Sequence, residues 1–136
     1  MKAEHLWMDQ GIQTFRMMLV PHRDSWKNAN IPRIAEEFTG QPLASYQGIH
    51  GGTMPRSGSF LSVDAPNIII SSIKQSEEGN DMIIRCVETF GQETPATVNL
   101  LFAGRKWTGS FRPLEIKTLR INQKTGDIKE TNLLEE

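Results

Sequence analysis

Acidic residues come in pairs along this chain, at Glu36-Glu37, Glu77-Glu78 and Glu135-Glu136. Paired carboxylates can divide the work of general acid and nucleophile, but only where the surroundings raise the pKa of one of them. The context puts each pair in water: a turn around Gly79, the outer face of a short helix, and the chain end. Solvated carboxylates keep ordinary pKa values, so all three pairs read as surface charge. His22-Arg23-Asp24 matches the triplet of a kinase catalytic loop, yet no Gly-rich phosphate loop, strand lysine or Asp-Phe-Gly accompanies it. Ser59 and Ser62 lack a Gly-x-Ser-x-Gly elbow, and residues 48–58, although rich in glycine, lack the Gly-Lys-Ser/Thr of a phosphate loop. His5, His22 and His50 are the only histidines, and none stands in a metal-ligand spacing. The aromatic faces of Trp7, Trp26, Trp107 and Tyr46 suit sugar stacking, with Trp107 or Trp26 as the platform. Core or interdomain packing is the competing reading for the same tryptophans.

Short strands must position these residues. Residues 68–73, rich in isoleucine, and 82–87 flank an acidic break centred on Gly79, the pattern of a β-hairpin with a longer loop. A second break at 91–95 leads into 96–102, where Ala96, Val98, Leu100 and Phe102 alternate with Thr97, Asn99 and Leu101, so the three runs together predict a three-stranded antiparallel meander. Alternation predicts a strand over 13–20, stopped by Pro21, and composition predicts a short one over 43–46. Ile31, Ile34, Ala35 and Phe38 lie at i, i+3, i+4 and i+7, one helical face, with Asn30 as N-cap, Pro32 in the first turn and Gly40 as the stop. Residues 48–58 form an irregular loop, and 104–109 a turn around Trp107. Strands over 114–121 and 128–134 flank the hairpin signal Thr125-Gly126-Asp127. The sum is an all-β antiparallel β-sandwich of about seven or eight strands, with one short helix near residues 31–38.

Length and composition narrow the function classes. At 136 residues the chain fits one domain, and about two-thirds of its unfolded surface can be buried. A net charge of -1 gives no electrostatic case for nucleic acid or an anionic membrane. The apolar runs are far shorter than the roughly 20 residues of a spanning helix, and His5, Asp9 and Gln10 interrupt any secretory core near Met1. Cys86 is the single cysteine, so it reads as a buried structural thiol in a reducing compartment.

Several stretches resemble the C-terminal β-domain of glycoside hydrolase family 38, the α-mannosidases. They are Ser59-Phe60-Leu61-Ser62-Val63, then Asn67-Ile68-Ile69-Ile70-Ser71-Ser72-Ile73-Lys74, Glu77-Glu78-Gly79, and Ile83-Ile84-Arg85 with Glu88. Asp9-Gln10-Gly11 with Phe15, Pro21-His22, Trp26, Ala35, Gln41-Pro42-Leu43 and Glu115-Ile116-Lys117-Thr118-Leu119 agree in the same order. The resemblance implies residues 9–136 as the C-terminal β-sandwich domain and residues 1–8 as a leader or remnant of a preceding domain. It implies a parent that is a retaining, zinc-dependent α-mannosidase, whose zinc and aspartate nucleophile belong to an amino-terminal catalytic domain. None of those catalytic residues maps onto this chain, and His22 matches the Pro-His ending the first strand, not the metal motif. The chain is thus expected to be inactive alone, to hold no cofactor, and to have the catalytic domain of its own polypeptide as partner. It would meet α-mannoside through the parent, in the bacterial cytoplasm, and the fragment's uncovered face would favour self-association. Asn132-Leu133-Leu134-Glu135 resembles the natural ending of bacterial members. Met54 and Arg56, in the loop over residues 48–58, are the residues expected at the active-site rim. The alternative reading is an independent carbohydrate-binding sandwich using Trp107 or Trp26.

Overall fold

A computed structural model describes residues 11–136, so the leader expected over residues 1–8 lies outside the described residues. Helix α1 (Ile31–Thr39) precedes seven strands: β1 (Leu61–Val63), β2 (Ile68–Gln75), β3 (Met82–Glu88), β4 (Thr94–Leu100), β5 (Arg105–Phe111), β6 (Ile116–Ile121) and β7 (Ile128–Thr131). All pairings are antiparallel, in a three-stranded sheet ordered β1-β4-β5 and a four-stranded sheet ordered β2-β3-β6-β7. Ile68, Ile84, Cys86, Leu119 and Ile121 from the larger sheet meet Ala96, Val98, Leu100 and Phe111 from the smaller one in a single core. The outer face of the smaller sheet is polar, with Asn99 Nδ2 donating to Ser62 Oγ at 3.3 Å, as expected of an antiparallel sheet with one wet side.

Both expected hairpins form. Ser76 N–H donates to Asp81 O at 2.9 Å across the β2–β3 loop, where Gly79 takes a φ of 89°. Gly126, at φ 74°, turns β6 into β7. The meander does not form, because β4 crosses to the other sheet and pairs β1 and β5 instead of β3. Alternation records which side chains share a face and carries no information about the neighbouring strand. The turn expected around Trp107 is instead strand β5, and the strand expected to reach Phe102 ends at Leu100 in a 3-10 turn, Leu101–Ala103. The strands expected over 13–20 and 43–46 are absent, since no ladder partner lies beside those segments and their side chains stay exposed. Helix α1 stands where expected, but Asn30 is left-handed (φ 52°) and makes no side-chain cap. Gly40 ends the helix in an extended conformation, its N–H donating to Glu36 O at 2.7 Å. A bulge between Ile70 and Ser72 shifts the β2–β3 register. Past it, Ser72 pairs Arg85 and the Lys74 ammonium reaches Glu135, so that part of β2 sends its polar side chains away from the core.

One carboxylate joins the two sheets. Glu88, fully buried at the end of β3, accepts from Phe90 N–H (2.7 Å), Gly91 N–H (2.7 Å), Gln92 N–H (3.2 Å) and Leu114 N–H (2.9 Å). Asn67 Nδ2 adds a bond to Glu88 Oε1 at 2.8 Å and another to Thr94 Oγ1 at 2.6 Å. These donors come from three different crossovers: β1 to β2 through Asn67, β3 to β4 through residues 90–92, and β5 to β6 through Leu114. Leu114 is held at φ 58°, a left-handed conformation that costs a non-glycine residue about 1 kcal/mol or more. Burial works against the charge on Glu88, but the amides of Leu114, Phe90 and Gln92 and the Asn67 side chain outweigh it and hold the carboxyl below its ordinary pKa.

Replacing Glu88 with Ala leaves the buried Asn67 amide and four part-buried backbone donors without their acceptor, so a loss of about 2 kcal/mol is expected in denaturant unfolding. Glu88→Gln has a distinctive pH signature. A depressed folded-state pKa stabilises above the ordinary glutamate value and loses that contribution as pH falls through the depressed one. The stability gap between the chain and Glu88→Gln should therefore be widest near neutrality and close progressively below about pH 4.

Candidate functional site

The loop expected to carry function, residues 48–58, is largely exposed and follows the end of the helix-bearing segment. Its last residues run into Phe60, whose carbonyl accepts from Leu101 N–H at 2.9 Å and so fixes the loop beside the 3-10 turn after β4. Met54, Arg56, Phe60, Leu101 and Phe102 together line an open groove of about 440 Å³, more apolar than polar. The structure thus places Met54 and Arg56 on one surface, and adds Leu101 and Phe102, which alternation alone assigns to a strand. Apolar exposure is concentrated nearby in sequence: Ile12, Phe15, Met17 and Leu19 are all more than four-fifths exposed, as are Leu43, Tyr46 and Ile49.

The two tryptophans of the alternative reading lie on different elements and are not brought together. Trp107 is half-buried on β5, packed against the core, with its ring 5.6 Å from Phe111 in an edge-on contact. Its six-membered ring lies against Gly109, where a Cβ would meet Trp107 Cζ2 at 2.4 Å, so only glycine leaves room for this indole. Trp26 is 45 % exposed, meets Phe90 edge-on at 5.6 Å, and carries the Lys27 ammonium 5.5 Å over its ring. Aromatic and cation contacts of this kind fix an indole in place as well as offering it to a ligand.

The carboxylates divide by burial. Glu36, Glu37, Glu77 and Glu78 are exposed as expected, whereas Glu135 is buried, contrary to the surface reading of the last acidic pair. Lys74 Nζ lies 2.6 Å and Arg85 Nη2 3.4 Å from its carboxylate. Each carboxyl whose pKa moves is moved downward. The Lys74 ammonium holds Glu135 down, backbone bonds from Thr97 and Arg112 hold Asp64 and Glu115 down, and the crossover amides do so for Glu88. A glycosidic general acid requires the opposite shift. Among the described residues no three His, Cys, Asp or Glu side chains are grouped to hold a metal ion. His22 Nδ1 lies 2.6 Å from Asp24 O, bonded within its own turn. Glu88, the buried carboxylate that ties the crossovers, carries no sequence signal for that role beyond an acidic residue closing an apolar strand just before Gly91.

Cys86 is fully buried in the sandwich core, and burial pushes its thiol up to about 12. Thiol reagents should accordingly label native Cys86 only at the rate of unfolding, with prompt labelling in denaturant; prompt native labelling would contradict the burial.

Comparison with known proteins bears on this arrangement. The family model described as glycosyl hydrolases family 38 C-terminal beta sandwich domain matches residues 67–136, from the Asn67 crossover through the last strand. Alpha-mannosidase G of Dictyostelium discoideum is 26% identical over 112 residues, covering 82% of this chain and 10% of that protein. The chain spans about a tenth of the length of that curated relative. No solved structure matches.

Proposed function

The chain belongs to the C-terminal β-sandwich domains of glycosyl hydrolase family 38, and from that premise we propose that it is the non-catalytic supporting domain of an α-mannosidase. The observation that carries this reading is the exposed apolar face along residues 12–19, together with the groove of Met54, Phe60, Leu101 and Phe102. Large exposed apolar surfaces mark contacts with another protein body, and a catalytic domain of the same polypeptide is the partner proposed here. Zinc and the nucleophile belong, in this reading, to that catalytic domain; the lowered pKa values of Asp64, Glu88, Glu115 and Glu135, opposite to what a general acid needs, support it. The loop over residues 48–58 is assigned to the rim of the active site, with Met54 giving apolar contact and Arg56 a cation toward substrate oxygens. A reducing, cytoplasmic setting is part of the same proposal, supported by the unpaired Cys86 thiol.

Two measurements test this reading. The 136-residue chain is expected to release no chromophore from a chromogenic α-mannoside with zinc present, and its tryptophan fluorescence to stay unchanged with mannose or mannobiose. Saturable quenching would instead favour a carbohydrate-binding module built on Trp26 or Trp107. In the full polypeptide, Met54→Ala with Arg56→Ala should lower kcat/KM on α-mannosides by about tenfold, the loss of one charged contact. Unchanged kinetics would remove the loop from the active-site rim while leaving the supporting role intact.

A further inference from the structure

After β7 ends at Thr131, residues 132–136 fold back over the outer face of the four-stranded sheet. They form a compact turn of their own: Asn132 Oδ1 accepts from Leu134 N–H (2.9 Å) and Glu136 N–H (3.1 Å), and Glu135 N–H donates to Asn132 O at 3.0 Å. Every bond from this turn to the sheet and its β2–β3 loop is made to a charged group or by one. Glu135 receives the Lys74 ammonium, Arg85 Nη2 and the Glu77 N–H (2.9 Å). Arg85 Nη2 donates to Leu133 O at 2.8 Å, and Arg120 Nη1 donates to Glu135 O at 3.0 Å.

The turn's own apolar burial is small, because Leu133 and Leu134 point to solvent, 54% and 75% exposed. On the sheet beneath, Ile83 is fully buried between its partners Lys74 and Arg120, which both bond Glu135, and the rest of the covered row is polar. Arg85, Thr118 and Thr131 are cross-strand neighbours in one row over β3, β6 and β7. Arg85 Nε and the hydroxyls of Thr118 and Thr131 are buried there with no protein partner, three of the four such atoms among the described residues. With the turn closed these three polar atoms have no protein partner, and opening the turn gives them access to water. Ionic anchors over a largely polar row describe a cover held shut by charge more than by packing.

We propose that residues 132–136 are a releasable strap, hinged at Asn132, which salt or acid opens as a unit while the sandwich stays folded. The groups facing Glu135 set the response. They are Lys74 from β2; Glu77, Glu78 and Asp81 from the following loop; Arg85 from β3; Arg120 from β6; Asp127 from the β6–β7 turn; Lys129 from β7; and Glu136 in the strap itself. The cations outbid the carboxylates, led by Lys74, and hold Glu135 below its ordinary pKa. Closure is therefore complete above the ordinary glutamate value and weakens as pH falls through the lowered one. Salt acts at neutral pH by screening the same pairs.

Hydrogen exchange of the full chain, followed residue by residue at neutral pH, tests this. The Glu77 and Glu135 amides report the strap, and the Ile84 and Cys86 amides report the core. Moving from low salt to about 1 M, where the Debye length falls to roughly 3 Å, should speed the strap amides about tenfold and leave the core amides unchanged. Glu135→Gln should show the fast exchange already at low salt and gain little more from added salt. Strap amides that exchange only in step with the core would overturn the proposal, as would a Glu135→Gln chain that keeps the slow, salt-sensitive pattern.

Discussion

A two-sheet sandwich must pass its chain from one sheet to the other, and each passage leaves polar groups that neither sheet's ladder can satisfy. Here a single ionised carboxylate satisfies that requirement for the three passages between β1 and β6. Glu88 gathers amides from residues 90–92 and 114 and the Asn67 side chain, so the crossovers are fastened to one another as well as closed. Three other features follow from it. Leu114 keeps its left-handed turn, a Cβ at Gly91 would meet the Leu114 side chain at 4.0 Å, and β4 starts in register beside β5 from Thr94 onward. A charge in this position is stabilising only because it is over-supplied with donors; with fewer it would be a buried penalty.

How much of this was legible in the sequence depends on the range of the interaction. The two hairpins were legible because Gly79 and Gly126 sit between β-rich runs, and a turn is decided by adjacent residues. Helix α1 was legible by its period, but its cap was not, since Asn30 prefers the left-handed region here to a side-chain bond. The sheet that receives β4 was not legible. Residues 91–95 look like any polar turn, and the group that turns them into a crossover is a side chain whose other partners lie at 67 and 114. Trp107 misled for a related reason: glycines at 104 and 109 suggest a loop, whereas Gly109 is there to accommodate the indole within β5. Residues 13–20 show real alternation, yet no partner strand exists among the described residues, so both sets of alternating side chains are largely exposed.

The candidate site was legible as a loop and not as a surface. Met54 and Arg56 stand out in a glycine-rich stretch, but Leu101 and Phe102, which complete the groove, belong to a strand by pattern and to a 3-10 turn in fact. The same contrast separates Glu135 from the other surface carboxylates, because burial by a five-residue turn leaves no trace in composition. What the chain offers chemically is consistent throughout. Asp64, Glu88, Glu115 and Glu135 are held toward the ionised form, the Cys86 thiol is buried and suppressed, and much of the apolar exposure lies along residues 12–19, at 43–49 and in one groove.

The most direct measurement is the carbon-13 shift of the Glu88 carboxyl followed through an acid titration of the whole chain. If the crossovers depend on its charge, the signal stays at the ionised value well below the ordinary glutamate range, and changes only together with loss of the dispersed core resonances. A carboxyl that titrates at or above the ordinary glutamate value while the core remains folded would contradict the account.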